Sequence, residues 1–134
     1  MRPRPTAPSW LTRVVLDAIH TDQIREHGGL LGLRDETGLE AALARPRHQW
    51  LYGPVTDLAS LAAAYAFGIT QNHPYSDGNK RVALVAMLTF LAINTYDVDA
   101  DDDDILSTML ALATGRLSEV ELAAWLRSRM VGMK

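Results

Sequence analysis

The sequence contains no cysteine. That excludes a thiolate nucleophile and a cysteine-based zinc site, and it is compatible with a reducing cytosol, so a cytoplasmic location is expected. No excess of positive charge is present either. Thirteen Lys and Arg stand against 16 Asp and Glu, a balance without the general signature of a nucleic-acid binder. Long apolar runs are also missing. The longest, Val82 to Ile93, is broken by Thr89 and falls well short of the ~20 residues a membrane span requires. "MRPRPTAP" at the start carries charge and proline, but no apolar segment of a secretory signal follows it. Period-2 strand patterns and internal repeats are absent. A chain of 134 residues without disulfides has to rely on a packed core. A domain of about 150 residues buries roughly 70% of its unfolded surface, which suffices.

What the chain does contain is helical periodicity. Residues 1–8 are expected to form a flexible arm and residues 9–131 a single domain. A first helix is expected from an N-cap at Ser9 to Gly28-Gly29, with Leu11, Val14, Val15, Ala18 and Ile19 on one face. A short helix over Leu39 to Arg45 is expected to end before Pro46. A third starts near Thr56 or Asp57 and places Leu58, Leu61, Tyr65 and Ile69 at spacings of three and four. Gly68 inside it costs about 1 kcal/mol relative to alanine, which suggests a close helix–helix contact. The fourth, Asn79 to Ile93, is apolar on nearly every side and is expected to be the buried central helix, with Asn94 capping its end. A fifth runs from the Asp101–Asp104 cluster to Thr114, and a sixth opens with Ser118 and Glu121 at capping-box spacing. The fold class expected is all-α, a compact bundle of about six helices.

The densest polar chemistry lies against the start of that fourth helix, in "NHPYSDGNKRVAL", residues 72–84. The residue before proline is biased away from helix, which sets His73 at the end of the third helix. Ser76-Asp77-Gly78 is turn chemistry, and Asn79, Lys80 and Arg81 fall in the first turn of the next helix. A helix N-terminus carries unpaired N–H groups and about half a positive charge. Two cations there oppose the dipole, a conflict that a bound anion removes. Glycine, free N–H groups, lysine and arginine in this order suit a phosphate. Asp77 offers a carboxylate of the kind that holds Mg²⁺ together with substrate phosphates. Arg81 can stabilise a transferring group, Lys80 can hold a second phosphate, and Asn79 can orient phosphate or nucleophile. His73 is of the residue type whose ordinary pKa suits proton abstraction from a hydroxyl near neutrality.

His73-Pro74-Tyr75-Ser76-Asp77-Gly78-Asn79-Lys80-Arg81 resembles the motif of the Fic/Doc superfamily. "GGLLGLRDETGLEAALARP" and "NTYDVDADDDDILSTMLALATGRLSEVELAAWL" resemble its Doc (death-on-curing) branch, so the likeness spans roughly residues 11–130. AMP-transferring Fic proteins carry glycine where Lys80 stands and a second arginine where Leu84 stands. Both departures are typical of Doc proteins. The resemblance therefore implies ATP bound in the reversed orientation and transfer of its γ-phosphate, with Mg²⁺, to a threonine of elongation factor Tu. It implies His73 as general base, Asp77 as Mg²⁺ ligand, and Gly78, Asn79, Lys80 and Arg81 as the nucleotide-binding set. Tyr75 replaces the usual phenylalanine, and its hydroxyl then needs a partner. The inhibitory Ser/Thr-x-x-x-Glu-Gly/Asn of many Fic proteins has no counterpart. None of Glu26, Glu36, Glu40, Glu119 and Glu121 precedes Gly or Asn. Restraint is then expected from an antitoxin whose C-terminal segment folds onto the toxin, with Trp50 and Tyr52 either contacting it or packing under their loop.

The remaining features take simpler readings. His20, His27 and His48 read as lone histidines near helix ends or in loops. "DVDADDDD" fails as an EF-hand loop from Asp97, because its sixth and twelfth positions are Asp102 and Thr108. It reads as a solvated helix start. Leu122, Trp125 and Leu126 read as core, and "GGLLGL" as a connector or a flap that aligns a target segment. Alternatives to the kinase are an AMP transferase and a non-catalytic nucleotide- or antitoxin-binding module.

Overall fold

The computed structural model describes residues 6–54 and 57–133. Six helices are present among them: α1 (Arg13–His27), α2 (Glu36–Tyr52), α3 (Leu58–Asn72), α4 (Asn79–Ile93), α5 (Asp102–Ala113) and α6 (Glu119–Arg129). Two short strands, β1 (Tyr96–Val98) and β2 (Met130–Gly132), pair antiparallel with Tyr96 opposite Gly132. The fold is all-α with this one small ribbon. The strands escaped sequence reading because three residues are too few to display alternation. None of the helices among the described residues is long and apolar enough to cross a membrane.

Two helix boundaries differ from expectation. Ser9 does not cap α1. Its N–H and carbonyl are both taken by the Asn94 side chain at 2.8 and 2.9 Å, which lays the segment before α1 across the end of α4. Leu11 N–H donates to the Tyr65 hydroxyl, and the helix begins only at Thr12, whose hydroxyl accepts from Val15 N–H. The buried face turns accordingly. It carries Leu16, His20, Gln23 and Ile24, while Val14 and Val15 are exposed. The second correction concerns Pro46, which lies inside α2 rather than ending it. An internal proline costs about 3 kcal/mol, but Pro46 belongs to the buried face of α2, with Gly38, Leu39, Ala42 and Leu43, and that burial offsets the local loss. The arm expected at residues 1–8 lies largely outside the described residues, as does Thr56; Asp57 is the α3 N-cap.

The most completely enclosed helix is α3, not α4. It runs between α2, α4 and α6 with Ala59, Leu61 to Ala66, Gly68, Ile69 and Thr70 all buried. α4 buries Val82, Ala83, Ala86, Met87, Phe90 and Leu91, while Leu84 and Val85 stay half-buried. Gly68 is the close contact its sequence suggested: a Cβ there would lie 3.2 Å from the Cα of Ala42 on α2. Gly68→Val should therefore cost about 1–3 kcal/mol by overpacking, read as a lowered urea midpoint at unchanged m-value. Two other helices, unlike α4, begin with groups that suit the helix dipole. α5 begins with Asp102, Asp103 and Asp104, and α6 with the complete Ser118–Glu121 capping box.

Candidate active site

α3 ends and α4 begins around a loop of five residues, 74–78. His73 is the α3 C-cap and holds φ +44° and ψ +56°, in the left-handed region. Such a backbone costs of order 1–3 kcal/mol for a residue with a Cβ. Three contacts hold it. His73 N–H donates to the Ile69 carbonyl, and the Arg34 guanidinium donates to the His73 and Asn72 carbonyls at 2.8 and 3.1 Å. All of these bind backbone, so the His73 imidazole itself remains exposed at the loop's mouth.

The loop is pinned from three sides. Inside it, the Asn79 amide closes a ring on Tyr75: the amide oxygen accepts from Tyr75 N–H at 3.0 Å and the amide nitrogen donates to Tyr75 carbonyl at 2.9 Å. Asn79 thus shapes the loop, and one amide hydrogen is left over for a ligand. From α1, His20 stacks on the Tyr75 ring at 3.9 Å and its Nε2 meets the Asp77 carbonyl at 3.1 Å. Asp17 accepts from the Tyr75 hydroxyl at 2.8 Å and is itself paired with Arg13. Burial, and next the hydrogen bond to the Asp17 carboxylate, push the Tyr75 phenol well above its usual pKa, so it stays a neutral donor. This is the partner that tyrosine in place of phenylalanine required. From the third side, residues 28–35 lie along the loop. Gly32 carbonyl accepts from Ser76 N–H, the Pro74 carbonyl accepts from both Arg34 and Asp35 N–H, and Leu33 bridges Tyr75. "GGLLGL" is therefore laid against the motif, with Leu30 and Leu31 exposed on its outer side.

Asp77 points its carboxylate outward. One oxygen accepts from Gly78 N–H at 3.0 Å, the other from Leu30 N–H at 3.3 Å. Gly29 (φ +119°) allows this approach, because a Cβ there would fall 2.7 Å from Asp77 Oδ2. Gly78, at φ +78°, is the α4 N-cap and provides no side-chain cap. The first turn of α4 has no acidic residue. Lys80 and Arg81 project from it into solvent with no ion-pair or hydrogen-bond partner among the described residues. His73, Ser76, Asp77, Gly78, Asn79, Lys80 and Arg81 together line a cavity of about 340 Å³. The catalytic, metal and nucleotide residues expected from the motif all meet there, while Tyr75 is buried beneath the loop. Lys80 and Arg81 also border a second cavity of about 350 Å³, whose other walls are Gln23, His27, Leu84, Val85, Leu106, Met109 and Leu110.

This helix-capped loop, bearing His-Pro-x-x-Asp-Gly-Asn and two cations, is matched by the Fic/DOC family model over residues 10–91. The chain belongs to the Fic/DOC family. It is 34% identical over 112 residues to the protein named Protein kinase doc of Escherichia phage P1, covering 84% of this chain and 88% of that one. It is 44% identical over 78 residues to Toxin Doc of Mycolicibacterium smegmatis, covering 57% of this chain and 59% of that one.

Within this Fic/DOC site the donor set fits Mg²⁺ brought in with a nucleotide. Asp77 is an accessible hard oxygen ligand with lone pairs to spare, and no group of three or more His, Asp or Glu forms a cage among the described residues. One carboxylate plus phosphate oxygens is the usual arrangement for that ion. Sequence reading missed two contributors. His20 looked like a lone histidine, yet it is 4% exposed and grips the motif loop; its i+3 spacing from Asp17 on one face of α1 was the available signal. Arg34 offered none, since the carbonyls it holds are a product of the fold. Trp50 and Tyr52, considered for a partner, sit at the opposite end of the antiparallel α2–α3 pair from His73. Trp50 packs edge-on against Trp10 and Tyr52 is 75% exposed.

Proposed function

We propose that the chain is a Doc-type toxin kinase that transfers the γ-phosphate of ATP to a threonine hydroxyl of elongation factor Tu. The observation that carries this reading is the pair of cavities meeting at Lys80 and Arg81, one polar and one largely apolar. A triphosphate in the polar cavity lies among the α4 N–H groups, two cations and Asp77. The nucleoside then has the apolar cavity beyond Leu84. In this pose the terminal phosphate, not the α-phosphate, stands on the His73 side. An AMP transferase needs its pyrophosphate on the far side of Arg81, where a second cation would serve and where this chain has leucine.

In this reading His73 takes the proton of the threonine hydroxyl as its oxygen bonds to the γ-phosphorus. The bond from that phosphorus to the β,γ-bridging oxygen breaks, and ADP leaves. Lys80, Arg81 and the free N–H groups stabilise charge on the transferring group, which is most of what phosphoryl transfer asks of a protein. Mg²⁺ held by Asp77 and the phosphates would neutralise part of the same charge. His20, Tyr75 and Asn79 hold the loop in place, which fixes where these groups stand. Relatives named as a kinase and a toxin support the reading, and so does the resemblance to toxins restrained by an antitoxin. A cognate antitoxin is the partner proposed, with its C-terminal segment over the toxin. Incubation with elongation factor Tu and ATP labelled at the α or the γ position tests the activity. Label retained from γ alone supports a kinase; label from α marks an AMP transferase, and label from neither a binding module.

A further inference from the structure

Gln23 lies in the middle of α1 on the face turned inward, and only 9% of it is exposed. Its side-chain amide has no hydrogen-bond partner among the described residues. Nor is the amide sealed away. Among the described residues the fully enclosed side-chain polar atoms without partners are Arg45 Nε and Thr70 Oγ1, so what remains accessible of Gln23 opens onto the cavity it lines. A leucine or methionine would fill the same wall without partly desolvating an amide, whereas this amide faces the cavity with its hydrogen-bonding capacity unspent on the protein. A ligand with a matching donor and acceptor uses that capacity.

The rest of the cavity says what that ligand is. Its walls are otherwise mainly apolar, from Leu84 and Val85 of α4 and Leu106, Met109 and Leu110 of α5. At one end stand Lys80 and Arg81, without ion-pair partners among the described residues and shared with the polar cavity. The ligand is then mostly apolar, presents a donor beside an acceptor to one amide, and is tethered to a polyanion. A purine base attached to a polyphosphate has that chemistry. An amide pairs bidentately with the exocyclic amine and adjacent ring nitrogen of adenine.

We infer that Gln23 is a specificity-determining residue, its amide reading the edge of the purine whose phosphates lie at Lys80 and Arg81. The inference rests on the nucleotide reading above and adds to it the residue that selects the base. It assigns a function to the inward face of α1, which also carries His20 and Asp17 against the motif loop. One helix thus supports the chemistry at its middle and reads the nucleoside one turn further on.

Two substitutions test it with the full-length protein and Mg²⁺. Gln23→Met keeps the volume and removes the amide; Gln23→Glu keeps the shape and removes the donor. Binding of ATP, GTP and inorganic tripolyphosphate is measured by calorimetry, alongside the melting temperature. Gln23→Met should weaken ATP by about 10- to 100-fold and leave tripolyphosphate unchanged, since the latter has no base to read. Gln23→Glu should lower the ATP-to-GTP affinity ratio, because a carboxylate can only accept and guanine offers two adjacent donors. ATP binding unchanged in Gln23→Met, or equal losses of ATP and tripolyphosphate, would overturn the assignment, as would an unchanged ATP-to-GTP ratio in Gln23→Glu. If the unsubstituted protein bound tripolyphosphate but transferred no γ-label, the kinase reading would fail while the base-reading role stood or fell on the affinities alone. If it bound neither ATP nor tripolyphosphate, both would fall.

Discussion

His73→Ala should lower γ-phosphate transfer by about 10²–10⁴-fold, the usual contribution of a positioned general base. The fold should survive, because every hydrogen bond around His73 is made by its backbone. Ile69 takes its N–H, Arg34 takes its carbonyl, and the ring is exposed. The left-handed backbone makes a second variant informative. His73→Gly loses the same base but relieves the strain of a Cβ at φ +44°. It should be as inactive as His73→Ala and melt at a higher temperature. Transfer rates with γ-labelled ATP and thermal unfolding by circular dichroism read both effects, and expression of either variant should no longer arrest growth. Activity near the unsubstituted level in either would move the base to another residue. A lower melting point for glycine than for alanine would contradict the strain argument.

Arg81→Ala should also cost about 10²–10³-fold in turnover, the range seen when one preorganised charge-stabilising donor is removed. Its effect on stability should have the opposite sign. Arg81 sits in the first turn of α4, opposes the helix dipole there, and has no partner among the described residues to compensate. Removing it should stabilise the ligand-free protein by about 0.3–1 kcal/mol at low ionic strength, less in salt. Urea denaturation with and without ATP and Mg²⁺ separates the two. The variant should be the more stable without ligand and should gain less from ligand. A variant that kept its turnover, or lost stability without ligand, would show that Arg81 acts as an ordinary structural residue. The contrast with α5 and α6, which start with aspartates and a capping box, makes the same point within one chain.

Much of this site was legible beforehand. The order His, Pro, turn, Gly, then two cations fixed the end of α3 and the start of α4 to the residue, because proline and glycine constrain backbone wherever they occur. The helices with strong local signals, Ser118 to Glu121 in α6 and the aspartates of α5, also stand where their sequences place them. The errors fall where distant partners outweigh local preference. Ser9 has the chemistry of a cap but spends its backbone on Asn94, which lies 85 residues away. Pro46 has the chemistry of a helix breaker but is buried in α2 against α3. His20 has the pattern of a lone histidine until α1 is set beside Tyr75.

The sequence alone determined the helical class, the loop between α3 and α4, and the set of charged groups available to a phosphate. These follow from backbone restrictions and from residue chemistry, both of which act over a few positions. Only the tertiary structure decided which groups that loop leans on, and where the apolar cavity opens. Those depend on Asp17, His20 and Gln23 of α1, Arg34, and the apolar side of α5 arriving at one place. Their separation along the chain leaves no local pattern to read, and packing of the core around α3 is what brings them together.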